Sequence, residues 1–277
     1  LEVKIKKFKK VLLNWYSLNK RDFSWRNDKN PWNVYLLETI SQQTQLNRAN
    51  KYFDIFIKEF PSPDIMAKSS LRKVLKLWSG LGYNIRAKRM HETSKILSKK
   101  PFNELYPDFQ QLPGIGPYTE NAIRSFSYGD KVITEDTNVK RVVSRYFGID
   151  NEKIFIKKYS FLLLENVDSR NINQAFMDFG SIVCKPRNPC CLKCPLSQNC
   201  KKYFSSKTKK REEFRGSKRE IRGNIIKLLL KNQKIGLNEL SKKLKISKDN
   251  LAIILSTMQK EGLIILNKKN IVEINPK

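Results

Sequence analysis

The chain has 277 residues, with 55 Lys and Arg against 26 Asp and Glu and a formal net charge of +29. Apolar residues make up 40%, enough for a sizeable core, so a disordered basic tail is excluded, and no apolar run reaches the 18 residues of a membrane span. Such a charge on a folded chain fits a polyanionic partner, most simply nucleic acid; a lysine-rich proteome explains Lys over Arg but not the excess of base over acid.

In chain order, residues 1–20 read as an amphipathic helix with Phe8, Leu12 and Trp15 at helical spacing. The segment is basic but has neither an apolar h-region nor a small-residue cleavage site, so it does not read as a secretory leader. The expectation is a cytoplasmic, nucleoid-associated protein of prokaryotic type, acting as a monomer. A polar loop with Trp25 and Trp32 follows, then a helix over about 32–45. Val34, Leu36, Leu37 and Ile40 form its core face, and Glu38 sits among them. A carboxylate in that company needs a partner or a task.

Helices are expected over about 47–60, 63–69, 70–77, 85–99 and 103–110, with Gly80-Leu81-Gly82-Tyr83 as a break. Residues 112–116 read Leu-Pro-Gly-Ile-Gly, and a helix opens after them near Tyr118 or Thr119 and ends at Gly129. Gly114 and Gly116 are able to take backbone angles closed to other residues and to bring main-chain N–H groups close to a partner. N–H groups at a helix start form an anion site. Asp136 comes about one helix-length later, ahead of helices over about 138–147, 153–166 and 171–183.

All five cysteines fall between 184 and 200, spaced Cys184-x6-Cys191-x2-Cys194-x5-Cys200 with Cys190 left over. One tight cluster in a basic chain points to metal rather than to a disulfide scaffold. Four thiolates suit a [4Fe–4S] cluster or a structural zinc, and the spacing alone does not choose. Lys185, Arg187 and Lys193 lie in the intervening loops, where they are placed to reach phosphate.

Residues 201–220 are charged and poor in apolar groups, as a linker would be. Helices over 221–230, 237–244 and from Ser247 to Lys260 follow, then apolar runs 263–266 and 271–274. Three helices and a hairpin outline a winged helix, a helix-turn-helix variant. Residues 201–277 hold 21 Lys and Arg against 7 Asp and Glu, a net +14.

Taken together, WRNDKNPWNVYLLETISQQTQ, LWSGLGYNIRAKRMH, LPGIGPYTENAI, ITEDTNVKRV, INQAFMDFG and the cysteine spacing resemble the helix-hairpin-helix DNA glycosylases that carry an iron–sulfur cluster. Within that superfamily the likeness is to A/G-specific adenine DNA glycosylases of the MutY type, over residues 5–203. The resemblance implies a mainly α, two-lobed fold: a six-helix lobe over about 27–133 and an iron–sulfur lobe from 1–26 and 134–203. Beyond it the residues themselves read as a basic linker over 204–218 and a winged-helix-like domain over 219–277. It implies double-stranded DNA with a mismatched or damaged base as partner, and one [4Fe–4S] cluster on Cys184, Cys191, Cys194 and Cys200.

Residue by residue, Glu38 falls on the family's catalytic glutamate and Asp136 on the aspartate after the hairpin. Tyr118 stands where lyase-type relatives carry a nucleophilic lysine, and Asn138 matches an active-site asparagine. Gln174 matches a position facing the adenine, Gln42 and Gln43 match residues that wedge into the base stack, and Arg26 matches an arginine near the pocket. Gly114 and Gly116 belong to the hairpin that grips the backbone, while Tyr83, Lys185 and Arg187 are further candidates for DNA contact.

The chemistry agrees. A carboxylic acid in an apolar setting has a raised pKa and is able to protonate adenine N7; a second, ionised carboxylate stabilises an oxocarbenium-like sugar. The helix N-terminus at Asp136 is expected to keep it charged. Two features depart from the family: the GLGYY run reads GLGYN, with Asn84 last, and a winged-helix-like segment stands where a NUDIX-like domain is usual. Both bear on preference for 8-oxoguanine opposite the adenine more than on base excision. The competing readings are a thymine or uracil glycosylase for G·T mismatches and a non-catalytic iron–sulfur winged-helix regulator.

Overall fold

A computed structural model describes residues 1–204 and 213–276. The chain is mainly helical: α1 (Glu2–Asn19), α2 (Pro31–Ser41), α3 (Leu46–Glu59), α4 (Pro63–Ala67), α5 (Leu71–Leu77), α6 (Ile85–Leu97), α7 (Phe102–Leu105), α8 (Pro117–Ile123), α9 (Thr137–Phe147), α10 (Glu152–Leu164) and α11 (Ser169–Ile182). After these come α12 (Lys218–Asn232), β1 (Lys234–Gly236), α13 (Leu237–Leu244), α14 (Lys248–Lys260), β2 (Ile264–Leu266) and β3 (Ile271–Ile274). No helix among the described residues is long and apolar enough to cross a membrane.

Several expected boundaries move: the helix expected over about 32–45 ends at Ser41, and the one expected over 221–230 runs Lys218–Asn232. The helix expected over 103–110 stops at Leu105, because Pro107 pushes Tyr106 out of the helical region. The helix after the Gly turn starts one residue early, at Pro117, where proline suits a first turn, and continues as a π turn over Arg124–Tyr128 before Gly129 ends it. A short strand not expected from the sequence, β1, joins the C-terminal hairpin, in the order β1-β3-β2.

The chain divides into two compact units, which differ from the expected partition: Leu1–Tyr35 with Ile115–Lys209, and Leu36–Gly114 with Lys210–Lys277. Residues 115–133 join the first unit. Asn173 of α11 explains why: its side-chain amide donates to Ser125 Oγ (3.0 Å) and the Val132 carbonyl (2.9 Å), and its oxygen accepts from the Thr134 N–H (2.9 Å). The winged-helix segment groups with 36–114 rather than standing alone; Arg72 of α5 donates to the Leu230 carbonyl at the end of α12 (2.5 Å). Most of the expected linker lies outside the described residues.

The first unit's core is built by α1, α9, α10 and α11. Ile5, Phe8, Leu12 and Tyr16 face Val139, Val142, Val143 and Tyr146, with Phe176 and Phe179 between them. The spacing on α9 is i, i+3, i+4, i+7, as one buried stripe requires. In the second unit, Phe56, Trp78, Met90 and Phe109 are fully buried among the hairpin-proximal helices, and Leu229, Leu240, Leu255 and Val272 close the winged-helix core.

Candidate active site and cysteine loop

Asp136 and Glu38 fall in different units, and each is set by its own surroundings. Asp136 is the N-cap of α9: its carboxylate accepts from the Val139 N–H (2.7 Å) and from Asn138 Nδ2 (2.7 Å). Burial pushes its carboxyl above the ordinary aspartate value, against the pull of those two donors. That corrects the expectation that the helix terminus would dominate; burial of the charged form outweighs it. Asn138 is itself fixed. Its Oδ1 accepts from Arg141 (2.6 Å), and Arg141 also donates to the carbonyls of Gly180 (2.7 Å) and Cys184 (2.8 Å). A Cβ added to Gly180 would lie 2.6 Å from Asn138 Cβ, so only glycine lets α11 pass this close.

Arg26 and Gln174 do meet, but not at an open pocket. Arg26 is 7% exposed and Gln174 6%. The Gln174 oxygen accepts from Tyr16 Oη (2.7 Å) and Arg26 (2.9 Å), and its amide nitrogen donates to the Arg26 carbonyl (3.1 Å). Both ends of that amide are taken up inside the fold, so Gln174 holds the 24–27 turn against α11 rather than facing a base as expected. Arg26 also pairs with Asp178 (2.9 Å), which accepts from Arg21 as well (2.5 Å). Asp178, absent from the sequence candidates, is the charged centre of this network; its helical spacing from Gln174 was the available signal.

No disulfide forms among the five cysteines. Cys184, Cys191, Cys194 and Cys200 line one small apolar cavity with Arg145 and Phe204; Cys190 does not line it. No group of three thiols meets the geometry of a single bound ion among the described residues. Burial pushes the Cys194 thiol up to about 11 and Cys200 upward as well. The cavity wall carries donors aimed at sulfur: Arg145 Nη1 lies 3.5 Å from Cys184 Sγ, and the Lys202 N–H 3.4 Å from Cys200 Sγ. Arg145 also donates to the carbonyls of Lys185 (2.7 Å) and Pro186 (3.0 Å), and the Lys185 and Arg187 side chains are exposed. A four-sulfur wall of this kind fits a polynuclear cluster, with an arginine to offset its charge.

In the second unit Glu38 is 8% exposed on α2, beside Leu37 and Thr39 and one turn from Val34. The end of α2 is held by Arg86, whose Nη1 donates to the carbonyls of Thr39 (2.9 Å) and Gln42 (2.6 Å). The sequence reading passed over Arg86; its burial, which lowers its pKa, was not visible in a run rich in Lys and Arg. Beyond α2 the chain turns, with Gln42 half-buried and Gln43 exposed at φ 55°. Tyr83 is exposed at φ 49°. In the hairpin only Gly114 is left-handed, at φ 82°, with Arg89 packed against the place of a Cβ. Gly116 caps α8 at φ −106°, so the expectation that it needs a special angle is wrong; a Cβ there would meet open space, which leaves room for a partner to approach. Tyr118 is half-buried in the first turn of α8.

Comparison with known proteins places the chain in a family. Residues 37–161 match the family described as HhH-GPD superfamily base excision DNA repair protein. An adenine DNA glycosylase of Buchnera aphidicola subsp. Baizongia pistaciae is 37% identical over 209 residues, covering 72% of this chain and 59% of the relative. An adenine DNA glycosylase of Mycolicibacterium smegmatis is 32% identical over 232 residues, covering 79% of this chain and 78% of the relative. The chain thus spans about 59% of the Buchnera relative's length. Among solved structures, a thermostable thymine-DNA glycosylase matches with a TM-score of 0.66 at 27% identity, over 72% of this chain and 96% of the other. An endonuclease III–DNA covalent intermediate matches with a TM-score of 0.63 at 20% identity, over 73% and 96%, and speaks to the fold alone.

Proposed function

The chain belongs to the HhH-GPD superfamily of base excision DNA repair proteins, and from that premise we propose that it hydrolyses the N-glycosidic bond of adenine mispaired with guanine or 8-oxoguanine in double-stranded DNA, leaving the strand uncut. The observation that carries this reading is a pair of carboxylates in unlike settings. Glu38 is buried on an apolar helix face. Asp136 is hydrogen-bonded at a helix start. Adenine DNA glycosylases 37% and 32% identical to the chain support the choice of base.

In this mechanism the flipped adenine takes a proton from Glu38 at N7 and leaves as a neutral base. The electron pair of the C1′–N9 bond departs with it, and Asp136, ionised, stabilises the oxocarbenium-like sugar. Water adds to C1′ and returns its proton to Glu38. Asn138 and the Val139 N–H hold the Asp136 carboxylate. Tyr118 offers no amine for a Schiff base, so the strand is not cut by a lyase step. Cys184, Cys191, Cys194 and Cys200 would hold a [4Fe–4S] cluster, which when bound ties the cysteine loop and presents Lys185 and Arg187 to phosphate.

Duplexes carrying A·8-oxoguanine, A·G, T·G and U·G, scored for base release with and without alkali, test the proposal. Cleavage at adenine only after alkali is the expected result; release of thymine but not adenine overturns it. Glu38→Gln should slow adenine release by about 10³-fold or more while leaving duplex binding within a few-fold. Iron and sulfide analysis with visible absorbance decides the cluster, and zinc in their place would refute it.

A further inference from the structure

The second unit contains a cleft of about 800 Å³ between the 79–85 loop and the start of α12. Its wall from Phe214 onward lies beyond the residues matched by the family, and the proposed excision steps make no use of it. Its volume falls in the range of small-molecule and cofactor sites. Gln43, Tyr83, Phe214, Arg219 and Lys227 are among its walls. Gln43 and Tyr83 are both non-glycine residues held in the left-handed region. Strain of this kind persists where the surroundings over-determine it, and it clusters at ligand sites.

From the buried layer behind the cleft to its wall, rings and cations alternate. The Arg86 guanidinium lies 5.0 Å from the Trp78 ring centre and 5.7 Å from that of Tyr83. Arg219 lies 5.2 Å from the Tyr83 ring centre and 4.9 Å from that of Phe214, and donates to Tyr83 Oη (2.7 Å). One guanidinium thus lies against both rings. Phe214, at the open end, is 54% exposed, and Tyr83 is 40% exposed. Two exposed aromatic rings on the walls of one cleft form the kind of patch that a ligand or partner covers. A slot lined by two aromatic rings that share one exposed guanidinium, and entered past basic residues, suits an unstacked nucleobase with its phosphate. The segment that supplies Phe214 and Arg219 lies within residues 201–277, of net charge +14.

We propose that this cleft receives the base left without a partner when the target nucleotide is flipped, stacked between Tyr83 and Phe214, with Arg219 displaced from the slot to the flanking phosphate. Phe214 and Arg219, both outside the glycosylase core, are then specificity-determining residues. The proposal rests on the base-excision reading for its DNA partner. It assigns the winged-helix-like segment to the DNA rather than to another protein.

The test uses the full chain and a duplex in which a tetrahydrofuran abasic site faces 5-iodouracil, a base that cross-links to a stacked aromatic side chain on irradiation. Peptide mapping should find the cross-link on Tyr83 or Phe214. Phe214→Ala and Arg219→Gln should each weaken binding of this duplex about ten-fold, as loss of one stacking contact does, while Phe161→Ala, an exposed aromatic outside the cleft, leaves it unchanged. Cross-links confined to other residues, or affinities unaltered in both variants, overturn the proposal; unaltered affinity would point instead to a protein partner for this face. Adenine release from the A·G duplex is measured alongside. Release without the cross-link sinks the cleft alone, and the cross-link without release sinks the excision reading alone.

Discussion

Two arginines of this protein sit among aromatic rings, and their settings could hardly differ more. Arg26 lies in the first unit over Tyr16, Phe23 and Trp25, with its terminal nitrogens bonded to Gln174 and Asp178. Arg219 lies in the second unit against Tyr83 and Phe214, with both rings exposed to water. The residue types are nearly the same. Burial separates them: a buried guanidinium must have its donors met inside the fold, whereas an exposed one is able to exchange its partner for a ligand. The first arrangement therefore fixes a fold and the second leaves a site available.

The comparison can be broken most forcefully at Asp178. Asp178→Ala strands Arg21 and Arg26 and should cost about 3–5 kcal/mol, read as a drop in the midpoint of urea unfolding; a shift under about 1 kcal/mol would show that the network is not structural. Gln174→Ala comes next. It leaves Tyr16 Oη and Arg26 short of a partner, a cost of about 1–3 kcal/mol, and should leave base preference in the duplex panel unchanged. Altered preference with intact stability would restore Gln174 as a base-reading residue.

A smaller effect is expected at Asn138. Its amide donates to the Asp136 carboxylate and so pulls that carboxyl down against burial. Removing the donor in Asn138→Ala raises the carboxyl further. Because the ionised form is the one required, the acid limb of the single-turnover rate profile should move to higher pH, with the neutral-pH plateau less affected. An unmoved acid limb would separate Asp136 from the rate. At the bottom of the scale, Gly116→Ala should change stability by no more than about 0.5 kcal/mol, since its Cβ meets no protein atom, yet weaken DNA binding. Gly114→Ala, with φ 82° and Arg89 beside it, should destabilise as well.

Much of this was legible in the chain itself. Helical periods at Phe8 and Leu12, and at Val139, Val142 and Val143, declare the first unit's core because an amphipathic stripe must be buried whatever surrounds it. The capping serine at 247 and the acidic cap at 136 are local features, and both make their expected bonds to N–H groups three residues on. The four cysteines around one cavity follow from a spacing confined to 17 residues. Charge likewise adds up without regard to fold.

What tertiary structure decided were the matters that depend on distant neighbours. Gln174 is a motif residue in sequence, yet Tyr16 and Arg26, more than 140 positions away, take up its amide. Asp136 has a helix start to hold it ionised, but burial by elements remote in the chain outweighs that local field. Arg86 gave no sign among neighbouring lysines and arginines that it would cap α2. Tyr83 and Phe214 are separated by 131 positions, and only the docking of α12 beside the 79–85 loop puts one guanidinium against both rings. Periodicity, capping and spacing are short-range and survive in the sequence; desolvation and side-chain pairing depend on which remote groups arrive, and those are settled only when the chain has folded.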